Sequence, residues 1–538
     1  GDAATFLSDH SGFSGTVVDT VMSLKNSTST IKIITPSSAV IDEVTYYSSW
    51  GADGNGKTLE RKSASGGSND SNNWAESSSN GGTPGAANNW LLSSDVDNAT
   101  STPETATSTA PLIALGTDVP ATTTISTDTT WTLAGSPYRL FFDGQRRPTV
   151  AAGAVLTIAP GAKIVPQGGN YTALEIKGTL NAIATSGAPI IFTSITDADN
   201  NTSTTPQKGD WLNIAFSQGA QGNMDYVEFR YGGQGITLPL HEMVDVVGAT
   251  ININHSKFEN SQNTALHLVD SSGVVENSIF SDNNCGISVD SLNGVANTSY
   301  GGCYSVHATG QILSTAVLQI INNQFIRNQN IGIEFRSGTA PTVNNNVFTD
   351  NGFPLKIESS YPVITNSQIA NSTTSSNILN GIAISGYTHF SQNYTLKKDL
   401  PYILETNGPA LSPYIDPGVT LTLEPGVILK PNNPSTPTLF VYGNLIASST
   451  PDNPIVFTSF KDDSRGGDTN GDGSVSSPQD SDWANIKFLA GSIGSFTNTI
   501  FNYAGFGFIP HNLSPTNTLA KDFPTVNIGS NYMGITTS

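Results

Sequence analysis

Between residues 466 and 483 the sequence reads GGDTNGDGSVSSPQDSDW, gathering Asp468, Asn470, Asp472, Asp480 and Asp482 in a chain where only 12% of residues are charged. Oxygen donors at alternate positions, with glycine where the backbone turns sharply, are what a hard cation such as calcium requires. Asp468, Asn470 and Asp472 stand at positions 1, 3 and 5 of a calcium-loop pattern, with Gly473 at position 6. The Ser474 carbonyl would serve position 7. Position 12 is Gln479 in place of Glu, so Asp480 or Asp482 has to close the shell, and no flanking helices are expected. The alternative reading is a solvated, Gly-rich turn.

Catalytic chemistry has one candidate seat, Glu334, Arg336, Lys356 and Glu358. Glu334 precedes Lys356 by 22 residues and Arg336 precedes Glu358 by 22, which predicts each acid beside a base on a neighbouring turn. Such pairs, when exposed, contribute a few tenths to about 1 kcal/mol. An acid neutralised in this way is poorly suited to act as a general acid, so the expectation is a solvated or partner-binding wall without a catalytic carboxylate. The histidines show no metal-ligand spacing and no GxSxG elbow occurs.

The elements that position these residues follow from repeats. VLTIAPGAKIVP (155–166) returns as TLTLEPGVILKP (420–431), and APIIFTS (188–194) as NPIVFTS (453–459), both at an offset of 265. DWLNIAF with Trp211 returns as DWANIKF with Trp483 at an offset of 272, so seven residues are added in the interval that holds the acidic stretch. The earlier copy keeps only Asp197, Asp199 and Asn201 there. A shorter period is anchored by Phe258, Phe280, Phe325, Phe348 and Ile369, spaced 22, 45, 23 and 21 residues. One coil is thus about 22 residues, with two coils expected in the 45-residue gap.

Each anchor is followed by an alternating strand, ALHLV, GISVD, GIEFR, PLKIE and GIAIS, which places one face inward at every recurrence. The predicted inward columns are Leu266, Ile287, Ile333, Leu355 and Ile382, then Leu268, Val289, Phe335, Ile357 and Ile384. Asn at the repeated turns tolerates left-handed backbone and can ladder its amides. The fold class is all-β: a right-handed parallel β-helix in two tandem modules, 116–386 and a truncated 387–538. About twenty coils would span roughly 90 Å. Over this region the chain resembles bacterial and archaeal cell-surface β-helix repeat proteins.

Residues 1–89 read as short strands and turns. Asp42, Tyr46, Trp50, Gly54, Leu59, Glu60, Arg61, Trp74 and the Gly-Thr-Pro-Gly turn at 82–85 resemble the closing half of a lamin-tail domain. That family implies a partial immunoglobulin-like β-sandwich, and the absence of its opening strands suggests a fragment of a longer polypeptide. Residues 90–115 are a Ser/Thr/Pro-rich linker.

With Lys+Arg at 23 against Asp+Glu at 43, the net charge of −20 disfavours nucleic acid and anionic membranes. No run of eighteen apolar residues is present to cross a bilayer. Cys285 and Cys303, 18 residues apart, suit one bridge between neighbouring turns in an oxidising compartment. The resemblances imply an extracellular structural protein of a microbial surface (surface-layer subunit, stalk or adhesive fibre), and the acidic loop makes calcium its expected cofactor. Its partners would be further copies of itself or neighbouring surface proteins and glycans. The alternatives are a polysaccharide-active lyase or hydrolase, a carbohydrate-binding module or a phage-type fibre. An aromatic-lined groove with free carboxylates would favour the carbohydrate class.

Overall fold

The computed structural model describes residues 25, 27–34, 40–50, 56–61, 71–80, 116–167, 172–198, 205–234, 242–291, 317–371, 376–406 and 411–505. The chain divides into two compact units, Gly1–Thr109 and Ala110–Ser538. In the first unit, Thr28–Ile34 pairs antiparallel with Val40–Tyr47, and Lys57–Arg61 with Trp74–Asn80. Trp50 and Trp74 stack at 6.4 Å, and the Tyr46 hydroxyl donates to the Lys25 carbonyl at 2.6 Å. Gly54 and the turn at 82–85 lie outside the described residues.

In the second unit, strands of two to six residues recur three per coil, and every named pairing between them is parallel. They stack into sheets of nine, ten and fourteen strands, with two further sheets of four. This is a parallel β-helix. The longest sheet runs from Thr124–Ile125 to Thr499–Phe501 and gives fourteen coils among the described residues. At ~4.8 Å per coil the described coils span about 60 Å.

Both predicted inward columns form. Leu266, Ile287, Ile333, Leu355 and Ile382 pair in register, as do Leu268, Val289, Phe335, Ile357 and Ile384, and all are 0–4% exposed. Phe192, Phe229, Phe258, Phe280, Phe325 and Phe348 stack with ring centroids 4.7–5.1 Å apart. Each such contact adds about 1 kcal/mol to simple burial.

One coil boundary differs from expectation. Phe280 pairs directly with Phe325, so the 45-residue gap is a single coil whose extra length falls between the strands Cys285–Asp290 and Leu318–Ile321. Periodicity counts residues, whereas register follows the strands that pair. Residues 292–316, including Cys303, lie outside the described residues. Cys285 is fully buried and disulfide-bonded.

Turns follow the asparagine rule. Asn277, Asn322, Asn345 and Asn366 hold φ of 49–58° at successive coils, where short polar side chains tolerate left-handed backbone. At another corner Asn283, Asn328, Asn351 and Asn377 form a buried amide ladder, each side-chain oxygen accepting the N–H of the preceding rung at 2.7–3.4 Å.

The two modules meet at an incomplete seam. The nine- and ten-stranded sheets end at Val363–Thr365 and Gln368–Ile369, and the four-stranded sheets begin at His389–Phe390 and Tyr394–Leu396. Among the described residues the long sheet alone crosses, by pairing Phe353–Glu358 with Ile382–Ile384. Side chains supplement it: the Ser391 N–H donates to the Tyr361 hydroxyl at 2.8 Å, and the Tyr394 hydroxyl to the Pro362 carbonyl at 2.6 Å.

Across the seam the modules are rotated by one face. Ile164 and Phe192 belong to the ten-stranded sheet, while their counterparts at an offset of 265, Leu429 and Phe457, belong to the long sheet. Equivalent segments therefore leave the helix at different corners.

Candidate functional site

The acidic stretch is the corner segment that follows Ile455–Phe457, and it folds back along the helix. Asp468 and Thr469 accept hydrogen bonds at their carbonyls from the Asn380 side chain (2.7 Å) and the Asn380 backbone N–H (2.8 Å). Asn380 in turn accepts from Asn377, the last rung of the amide ladder, at 3.0 Å. The loop thus reaches from the coil of Ile455–Phe457 to the corner before Ile382–Ile384, three coil spacings or about 14 Å. It straps the coils beside the seam. Gly471, at φ 69°, makes the approach close: a Cβ there would lie 2.8 Å from the Asn377 carbonyl oxygen.

Lys430 lies beneath the strap, fully buried, and its ammonium donates to the Asp462 carbonyl (2.9 Å), the Gly467 carbonyl (2.9 Å) and the Thr469 hydroxyl (2.6 Å). Burial lowers its pKa to about 8, against the pull of Asp462, Asp463 and Asp468.

Asp463, Asp468 and Asp472 each bring a carboxylate oxygen within 4.8 Å of the others. Asp468 accepts the Asp472 and Gly473 N–H groups at 3.2 and 2.8 Å, and Asp472 accepts Asn470 and Ser476. One oxygen each of Asp463, Asn470 and Asp472 is shielded from solvent and takes no hydrogen bond. Shielding and repulsion from Asp468 and Asp472 raise the Asp463 pKa, with Lys430 opposing them. Hydrogen bonds from Ser476 lower that of Asp472. Three side chains thus keep an unpaired oxygen close to the Asp468 carboxylate, a donor set for a hard cation.

Of the residues singled out in the sequence, Asp468, Asn470 and Asp472 come together. Ser474 and Asp480 are exposed, outside the three-carboxylate group. Asp482 is engaged elsewhere: its carboxylate accepts Lys461 (2.8 Å), the Ser459 hydroxyl (2.6 Å) and the Gln479 N–H (2.8 Å). Burial works against it, yet these bonds hold its pKa below the usual range. Asp463, Lys430 and Asn380 were missed. The repeat carried a signal for two of them, because their counterparts in the first module are Ala198 and Val165.

The charged patch departs from the solvated wall expected of it. The register is as predicted, Glu334 opposite Lys356 and Arg336 opposite Glu358, but all four residues are buried, at 1–7% exposure. Arg336 pairs along its own strand with Glu334 at 2.6 Å, Lys356 reaches Glu405 at 3.4 Å, and the Ser385 hydroxyl donates to Glu358 at 3.0 Å. The long sheet is covered on both faces here, every residue of Ile331–Arg336 being buried. Under cover, each of these charges needs a partner, because leaving one unpaired would cost several kcal/mol.

An outward aromatic row lies on a face of the second module. His389, Tyr414, Phe440 and Lys487 are in register, and Tyr442, 42% exposed, meets Tyr414 edge-on at 6.0 Å.

No curated protein and no solved structure matches the chain. A family model described as a right handed beta helix region matches residues 243–397, the stretch that holds the amide ladder, the phenylalanine stack from Phe258 and the module seam. With the parallel ladders around it, the match makes the second unit a right-handed parallel β-helix.

Proposed function

We propose that this chain is a non-enzymatic structural segment of an extracellular microbial surface protein, a surface-layer subunit, stalk or adhesive fibre, whose coils beside the module seam are locked by calcium. The observation that carries the reading is the strap. Beside the seam, where one of three ladders continues among the described residues, the sequence adds seven residues that fold back to the first coil past it and gather Asp463, Asp468, Asn470 and Asp472. A cation there would relieve the crowding of the carboxylates and stiffen the loop. Neighbouring copies, surface proteins or glycans are its partners.

Calcium of extracellular affinity, on the order of 0.1 to 1 mM, added at tenfold excess or more, should stabilise the chain by about 1.5–3 kcal/mol. Replacing Asp468 and Asp472 together by Asn should abolish that gain in thermal unfolding. An undiminished calcium response in the double variant refutes the assignment. For the non-enzymatic part, incubation with acidic and neutral polysaccharides should release no fragments, with or without calcium. Depolymerisation lost on Glu334→Gln or Glu358→Gln would establish the lyase or hydrolase class instead.

A second reading, glycan binding without cleavage, is favoured by the aromatic row, since exposed Tyr and His faces offer amphipathic surface to sugar rings. Glycan-array binding that disappears in Tyr414→Ala with Tyr442→Ala would support it.

A further inference from the structure

A separate group of ligand-type side chains lies on the long sheet in the first module. Asp245 and His267 are register partners on adjacent coils, in the strands Val244–Val247 and Thr264–Val269, and Glu242 stands just before the first of these. His267 Nδ1 is 3.1 Å from Asp245 Oδ1 and 3.8 Å from Glu242 Oε1, and the three ligand atoms lie within 4.8 Å of one another. His267 is 0% and Glu242 2% exposed. Glu242 Oε1 is shielded from solvent and takes no hydrogen bond. A buried carboxylate oxygen without a donor is costly, so it has to be met by a proton or a cation.

The geometry favours a cation. Ligands held 2.0–2.1 Å from a tetrahedral zinc ion are about 3.3 Å from one another, and the two distances from Nδ1 bracket that edge. One imidazole nitrogen with two carboxylate oxygens is the donor set of first-row divalent metals, whereas calcium takes oxygen alone. We propose that Glu242, Asp245 and His267 bind a first-row divalent metal ion of the zinc type, joining two successive coils on a sheet far in sequence from the acidic loop. In support, burial raises the Glu242 pKa to about 8, with His267 opposing and Asp245 and Asp290 adding to the rise.

The test uses the full chain, stripped of metal and then kept in millimolar calcium so that the acidic loop does not contribute. Titration with Co2+ followed by visible absorption, and with Zn2+ by calorimetry, should show one ion per chain and the intense bands of a low-coordinate site. Glu242→Gln and Asp245→Asn should each weaken zinc binding roughly a hundredfold; where one variant does not fold, the other carries the comparison. Wild-type protein that takes up no more zinc than Glu242→Gln, or that gives no low-coordinate cobalt spectrum, overturns the proposal and leaves Glu242 a protonated buried acid.

Discussion

The segment between Phe192 and Trp211 in the first module and that between Phe457 and Trp483 in the second begin and end alike. Thr193 donates to Asp197 at 2.6 Å, and Thr458 likewise to Asp462. Asp210 and Asp482 each accept the N–H three residues before them, from Gln207 and Gln479. The buried indoles of Trp211 and Trp483 each donate to a main-chain carbonyl at 2.8 Å. What differs lies between these anchors. The second segment is seven residues longer, gains Asp463 where the first has Ala198, and rests on Lys430 where the first has Val165. The comparison separates acids that maintain the repeat, Asp462 and Asp482, from acids that arrived with the added loop, Asp463, Asp468 and Asp472. A carboxylate count along the sequence cannot make that distinction, whereas a shared hydrogen-bond pattern does.

The largest effect should come from transplanting the lysine alone. Val165→Lys buries an ammonium where the sequence is seven residues shorter, and a pKa shift of about three units corresponds to roughly 4 kcal/mol lost in denaturant unfolding. A cost near zero would mean that the first module already supplies acceptors and that Lys430 is not specific to the strap.

The reverse exchange, Lys430→Val, leaves two carbonyls and the Thr469 hydroxyl without their donor. It should cost about 2–3 kcal/mol, and calcium should then stabilise the variant more than it does the parent, because the internal cation no longer offsets the acids. Equal calcium responses would uncouple the lysine from the cluster.

A smaller effect, about 1–2 kcal/mol, is expected for Asp482→Asn. Because the folded pKa of Asp482 is depressed below 3.8, its contribution is fully present above that value and is lost as pH falls through the folded pKa. Stability curves of parent and variant should therefore converge in acid and run parallel above about pH 5. Calcium affinity should be unchanged in the variant, and a loss would return Asp482 to the ligand shell.

The coils were legible because a period near 22 places the same apolar side chain over the same spot, and Leu266, Phe280 and Ile333 could be assigned inward from alternation alone. Asn277 and Asn345 were legible as turn residues for the same reason. The seam was not legible, since nothing in the spacing of Ile369 and Ile382 announces that two ladders stop, nor that equivalent strands then shift by one face. Burial of Glu334, Arg336, Lys356 and Glu358 escaped notice because alternation reveals which face a residue takes and says nothing about whether that face is covered. In the loop, pattern matching found Asp468, Asn470 and Asp472, while Asp463 joins them only through the fold-back that Asn380 anchors.

In a β-helix the hydrogen bonds between coils run along the axis, so a pull from end to end loads every ladder at an interface at once. Three ladders share the force within a module. At the seam one ladder and a few side-chain bonds carry it, which makes this plane the first to part. The strap ties the first coil beyond that plane, through Asn380, to the coils of Lys430 and Ile455–Phe457. Seven extra residues thereby stiffen the side to which the remaining ladder is fastened, and the load at which a coil peels away from that side under axial tension is the property they are placed to set.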